Sequence, residues 1–197
     1  MYTTLNLTKE QPMKRIHILF DSLHGQTMRI SHHIGRTIAE LGHDVHIVPL
    51  ERLDEEPDFW RADGFVIGGS VHEGRQSREL VNFVKKNRGT LEENSAAFFS
   101  VSLCAGGNEA DKEEARGYMN YFFEQTGWQP DHKATFAGAL RYRNYTWVTR
   151  WFMKIIARKR GYDTDTKQNR EYTDWSAVDE FACGVAERVS GEPVSSL

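Results

Sequence analysis

Cysteine is nearly missing from these 197 residues: Cys104 and Cys183 are the two present. Neither belongs to a C-x-x-C pair, which excludes a disulfide scaffold and a cysteine-built zinc site and fits a reducing compartment. The histidines do not fill the gap. His43 and His46 stand three apart on an expected strand and point to opposite faces, while His32 and His33 are adjacent on an expected helix and diverge, so no metal site is expected. No apolar run approaches the length of a membrane span. The opening MYTTLNLTKEQP lacks the apolar stretch of a secretory signal. It reads as part of a flexible tail over 1–13, with Met13-Lys14-Arg15 as a natural beginning. A net charge of -3 supplies no global pull toward nucleic acid or anionic lipid, so any such attraction is local. These absences describe a cytoplasmic protein.

What is present is an alternation of strands and helices. RIHILF (15–20) reads as a first strand, followed by a helix carrying Ile30, Ile34, Ile38 and Leu41 at helical spacing, with Gly42 beyond its end. DVHIVPL (44–50) and GFVIGG (64–69) are the second and third strands. A helix over 76–88 packs through Leu80, Val81 and Val84. AAFFSVS (96–102) is the fourth strand, a helix spans 111–126, and ATFAGAL (134–140) is the fifth. A last helix starts near Thr173–Asp174, with Val178, Phe181, Ala182, Val185 and Val189 on one face. Right-handed βαβ crossovers make this a doubly wound α/β parallel sheet. Residues 14–190 form one domain, with 191–197 a second flexible tail. Within it, 141–172 is far longer than an ordinary connection and reads as an insertion.

In such sheets ligands sit at the carboxyl ends of the strands. The first exit, LFDSLHGQT (19–27), holds no lysine or arginine. It contains neither G-x-G-x-x-G nor G-K-[ST], which excludes a Rossmann dinucleotide loop and a Walker loop. Ser22 and Thr27 bring hydroxyls, Gly25 permits a tight turn, and the amides of His24 to Thr27, Gln26 included, lie at a helix N-terminus that favours an anion. The same turn would also serve as a plain capped helix start. Two further exits are rich in small residues: GGSVHEG (68–74), with Ser70, Val71, His72, Glu73 and Gly74, and the loop after the fourth strand, with Ser102, Leu103, Cys104, Ala105 and Gly106. Together they suit a phosphate pocket beside a slot for a planar ring.

The insertion opens on RYRNYTWVTRWFMKIIARKRG (141–161), in which no acidic residue interrupts the basic ones. Trp147, Trp151, Phe152, Ile155 and Ile156 recur at helical spacing, and Arg150, Lys154 and Arg158 fall four apart along a neighbouring face. A basic amphipathic helix with aromatic anchors reads as a membrane-surface or partner-binding element, or as a helix packed on its own domain with a solvated basic edge.

The three exits resemble those of the flavodoxin fold, strand order 2-1-3-4-5, in which FMN lies with its phosphate in the first loop and its ring between the other two. S-x-H-G-Q-T at 22–27 is similar to the T-x-[ST]-G-x-T phosphate loop, with His24 replacing the middle hydroxyl. More specifically, the chain resembles the menaquinone-dependent protoporphyrinogen IX dehydrogenases of bacterial haem synthesis. The matching stretches are ILF…GQT, VIG…S…G with FVKK at 66–86, AFFSV at 97–101 and W-x-P-D at 128–131. AGALRY-x-x-Y-x-W at 137–147, TDT at 164–166 and YTDW at 172–175 continue them. The loop around 103–113, glycine-rich and acidic, departs from the pattern.

That resemblance implies FMN as cofactor, protoporphyrinogen IX as substrate and menaquinone or a related quinone as electron acceptor, at the cytoplasmic face of the membrane. Arg141, Tyr142, Arg143 and Tyr145 are the candidates for propionate and ring contacts. Trp147, Arg150, Trp151 and Lys154 are candidates for substrate or membrane contact. A rival reading is an FMN electron carrier of the flavodoxin type that docks to protein partners. Such carriers have no use for a basic, Trp-rich insertion.

Overall fold

A computed structural model describes residues 12–140 and 170–191. The substrate and membrane candidates Arg141, Tyr142, Arg143, Tyr145, Trp147, Arg150, Trp151 and Lys154 lie outside the described residues, as do most of the two expected tails. In chain order the elements are β1 (Arg15–Asp21), α1 (Gln26–Glu40), β2 (Asp44–Pro49), a 3-10 helix (Leu50–Glu55), β3 (Gly64–Ser70) and α2 (Arg78–Glu93). Then come β4 (Ser95–Ser102), a 3-10 turn (Cys104–Gly106), α3 (Glu109–Thr126), β5 (His132–Ala137), β6 (Ala139–Leu140), β7 (Arg170–Glu171) and α4 (Trp175–Ser190).

Strands β1 to β5 form one parallel sheet in the order β2-β1-β3-β4-β5, as the flavodoxin resemblance implies. The central strands are buried on both faces, so they are continuous apolar runs: Ile16, Ile18 and Leu19 on β1 and Phe65, Val66 and Ile67 on β3 are fully buried. One face packs against α2 and α3 through Leu80, Val84, Phe98, Phe122 and Trp128, with the rings of Phe98 and Phe122 stacked at 4.6 Å. The other packs against α1 and α4 through Ile30, Ile34, Phe99, Phe181 and Val185.

Caps explain where the helices start. Ser77 accepts from the Leu80 amide, so α2 begins at Arg78 rather than 76. Asn108 and Asp111 form a reciprocal capping box, which starts α3 two residues before the expected 111. Asp174 accepts from the amides of Ser176 and Ala177, where an N-cap was expected. The C-terminus of α2 runs to Glu93, beyond the expected 88, because Leu91 still packs into the core.

The fifth strand requires correction. The expected 134–140 is instead 132–137. The Gly138 amide donates to Ser102 O at 3.0 Å, after which the chain leaves the sheet, and Ala139 and Leu140 pair antiparallel with Glu171 and Arg170. This two-residue ladder brings together the departure and the return of the insertion, closing its base.

Candidate functional site

The carboxyl ends of β1 and β3 are neighbours in the sheet, with Phe20 opposite Gly68 and Asp21 opposite Gly69. Between them the chain builds a tight turn. The Ser22 hydroxyl accepts from the Gly25 amide at 3.1 Å and the Met28 amide at 3.4 Å, which folds the loop back over the start of α1. Gly25 takes φ 80°, a left-handed conformation that a Cβ would penalise. The amides of Leu23 and Thr27 carry no hydrogen bond to the described residues. Open donors at the positive end of a 15-residue helix are what an anion requires.

The exit of β3 turns equally sharply. The His72 amide donates to Arg75 O at 2.8 Å, and the Arg75 amide returns a bond to His72 O at 3.2 Å. Glu73 and Gly74 between them both have positive φ, 51° and 81°, the signature of a primed two-residue hairpin turn. This turn stands His72 beside His24 of the first loop, ring centroids 6.2 Å apart and edge to face. Burial, and then the neighbouring His72, hold the His24 imidazole below its ordinary pKa of 6.5.

A cleft of about 930 Å³ opens at this edge. Of the residues expected to bind cofactor, Ser22, Gly25, Ser70, His72 and Glu73 line it. His24, Thr27, Val71 and Gly74 belong to the same two loops without lining it. Gln26 is buried and its side chain faces elsewhere: Nε2 donates to Glu171 Oε1 and to Thr173 Oγ1, each at 2.9 Å. What Gln26 can present to the cleft is backbone.

The fourth-strand loop lies at the same edge but outside the cleft. Ser102 Oγ accepts from the Ala105 amide at 3.3 Å, and Cys104 to Gly106 coil into the 3-10 turn, with Cys104 buried and Leu103 half-buried. A Cβ at Gly106 would come within 2.9 Å of Ala137 and 3.1 Å of Tyr172. Gly106 therefore makes room for packing. The same holds for two glycines expected to clear space for a flat ligand. A Cβ at Gly68 would overlap the Phe99 ring, and one at Gly69 would come within 2.6 Å of Leu80, so both answer to the core.

Other parts of the cleft come from residues the sequence reading passed over, among them Glu51, Arg52 and Asp54 of the 3-10 helix after β2 and Arg75, Arg78 and Glu79 before and at the start of α2. Cationic Arg78 on the first turn of a helix, where the dipole opposes it, is the signal that could have found part of this set. Among the described residues no three His, Cys, Asp or Glu side chains are grouped to hold a metal, and no helix is long and apolar enough to cross a membrane.

One more network bears on the site. Arg29 Nη1 pairs with Glu171 at 2.8 Å and its guanidinium lies 5.7 Å from the Trp175 ring centre. Thr173 Oγ1 donates to Ala137 O at 2.7 Å. With Gln26, these contacts clasp the returning end of the insertion to the first turn of α1, directly behind the Ser22–Gly25 turn.

A family model described as a flavodoxin domain matches residues 17–167. The protoporphyrinogen IX dehydrogenase (quinone) of Escherichia coli strain K12 is 36% identical over 169 residues, which cover 86% of this chain and 93% of that protein. The chain belongs to the protoporphyrinogen IX dehydrogenase family of flavodoxin-domain proteins. Solved structures agree on the fold. A short-chain flavodoxin associated with a non-canonical PDU bacterial microcompartment superposes with a TM-score of 0.55 at 14% identity, covering 90% of this chain and 99% of that one. A flavodoxin from the domain Archaea gives 0.50 at 15% identity, covering 89% and 98%. The family match takes in the basic, aromatic segment that begins the insertion.

The described residues fit the FMN of this family. The Ser22–Thr27 turn offers hydroxyl and amide donors to a phosphate without a cationic side chain of its own.

Proposed function

We propose that this chain is an FMN-dependent protoporphyrinogen IX dehydrogenase that delivers electrons to a quinone, menaquinone in particular, at the cytoplasmic surface of the membrane. The observation that carries the proposal is the 36% identity to a protein of that name across nearly the whole of both chains. FMN, when bound, supplies the two-electron acceptance that, repeated, accounts for the six-electron oxidation of porphyrinogen to porphyrin.

The chain's own part is binding and orientation. Ser22, His24, Gly25 and the amides of Gln26 and Thr27 hold the phosphate, with Ser22 also fixing the loop through its bonds to Gly25 and Met28. Ser70, Val71, His72, Glu73 and Gly74 border the ring on one side, and Ser102 to Gly106 on the other. Cys104, being buried, contributes backbone there. Glu73 brings negative charge to this border, which opposes added negative charge on the ring. Arg141, Tyr142, Arg143 and Tyr145 contact the porphyrinogen, and Trp147, Arg150, Trp151 and Lys154 meet substrate or the headgroup layer, where basic and aromatic side chains are favoured. The acceptor is dissolved in the bilayer, so an enzyme resting on its surface shortens the path of the electrons.

The test is porphyrin fluorescence during anaerobic incubation of FMN-loaded protein with protoporphyrinogen IX and a menaquinone analogue. A rise that needs both FMN and quinone is the expected result. No rise, from protein whose flavin is bound and reducible by dithionite, would overturn the proposal in favour of an electron carrier.

A further inference from the structure

A second, smaller cleft of about 320 Å³ runs beside α2 toward α3. Arg75, Gln76, Arg78, Asn82, Lys85 and Gln125 supply its polar lining, and no carboxylate joins them. Arg75, Gln76 and Arg78 also line the large cleft, so the two share a rim.

Several cations among the described residues are already paired. Arg15, Arg29, Arg88 and Arg116 each pair with an acid: Asp44, Glu171, Glu92 and Glu113. Arg75, Arg78 and Lys85 take part in no ion pair among the described residues. Arg78 is moreover the first residue of α2, where the helix dipole opposes it. An anion in the cleft offsets that repulsion.

A second observation concerns the floor. Gln76 is only 3% exposed; its Nε2 donates to Ser100 Oγ at 3.1 Å, and its Oε1 has no partner. That oxygen is itself enclosed, so what the cleft offers a ligand is its cations, and a tetrapyrrole brings carboxylates for them.

We propose that Arg75 and Arg78 seat the two propionate carboxylates of the tetrapyrrole, its ring body extending from the shared rim over the large cleft. This rests on the substrate class proposed above and adds described residues to its recognition. Planar guanidinium groups grip carboxylates in pairs of parallel hydrogen bonds, and at this exposed position the two together are worth on the order of tenfold in affinity.

The test uses the full-length, FMN-loaded protein and the double variant Arg75→Gln, Arg78→Gln, with Arg61→Gln as a control for loss of surface charge. KM is measured for protoporphyrinogen IX and for its dimethyl ester. At saturating FMN, the proposal expects the double variant to raise KM for the diacid about tenfold while leaving that for the ester unchanged. It also expects the variant to melt no lower than the parent, since Arg78 opposes the helix dipole. An unchanged KM for the diacid, or an equal rise for diacid and ester, overturns it.

Equilibrium binding of oxidised protoporphyrin IX and of its dimethyl ester, read by porphyrin fluorescence, forms the second arm. Should the parent protein turn over no porphyrinogen, that arm decides alone. Salt-sensitive binding of the diacid that the double variant loses upholds the seat. Equal binding of diacid and ester refutes it whatever the catalytic result.

Discussion

Replacing Ser22 with alanine separates the two roles that the first loop can play. The Ser22 hydroxyl accepts from two backbone amides, Gly25 at 3.1 Å and Met28 at 3.4 Å, and α1 has no other side-chain cap. Its loss strands donors that a helix start must satisfy, a change comparable to deleting an N-cap, about 1 kcal/mol. In a chain of 197 residues that lowers the melting temperature by roughly 2–4 °C. In the proposed phosphate site the same hydroxyl would donate to a charged oxygen, and such bonds are worth about 1.5–3 kcal/mol. Ser22→Ala should therefore weaken FMN binding by roughly 10- to 150-fold, well beyond the cost in stability. The first quantity is read from thermal melts of the flavin-free protein by circular dichroism, the second from quenching of FMN fluorescence on titration. A lower melting temperature with unaltered FMN affinity would show that the turn only caps α1 and that the phosphate sits elsewhere. Weaker FMN binding with an unshifted melting temperature would contradict the hydrogen bonds that organise the loop.

Gly68→Ala places a methyl group against the Phe99 ring in a packed core, and should cost about 1–3 kcal/mol in urea unfolding, with no change in the slope m. A neutral result would mean that the core yields at this point. Glu171→Ala removes one partner of Gln26 and the ion-pair partner of Arg29, both at about 2.9 Å or less. The half-exposed network should lose about 1 kcal/mol, with its amides exchanging faster at the first turn of α1 than elsewhere in that helix. Exchange that is unaltered there would refute the clasp. Stability should also fall with acid. Burial holds His17, His43 and His132 below their ordinary pKa of 6.5, and His43 Nδ1 accepts from the Lys14 amide, which protonation forbids. Below about pH 6.5 the unfolded chain binds protons that the folded one refuses, so urea midpoints should decline from pH 6.5 to 5.5 and stay level above. Asp63 and Asp179, held below 3.8, act only at lower pH. A midpoint that rises on acidification would contradict the assigned environments.

Much of this molecule was legible in advance because its elements are written in local patterns. Ile30, Ile34 and Ile38 announce α1, and Asp174 announces the start of α4, since a helix has one buried face and a needy N-terminus whatever surrounds it. The continuous apolar runs of β1, β3 and β4 announce a sheet covered on both faces, and alternation with helices makes it parallel. The tight turn of the first loop was readable for the same reason: strand, Ser22, Gly25 and helix lie within a few residues of one another.

Contacts between distant segments were not legible. Gly68 and Gly69 have the composition of a ligand loop, yet their missing side chains are filled by Phe99 and Leu80, about thirty and eleven residues away. Gln26 carries the spacing of a phosphate loop, but its side chain answers to Glu171 and Thr173 at the far end of the chain. The end of β5 depends on a bond from Gly138 to Ser102 and on the pairing of 139–140 with 170–171. The sequence by itself determined the order of elements, the doubly wound sheet and the tight turn that opens α1, because these follow from periodicity and from backbone groups close along the chain. Only the tertiary structure decided which glycines serve the core, which side of the first loop opens into the cleft, and that Arg75 and Arg78, without an ion pair among the described residues, stand on the rim of two clefts. Those outcomes depend on which residues meet in space, and helical or strand periodicity carries no information about partners a hundred residues apart.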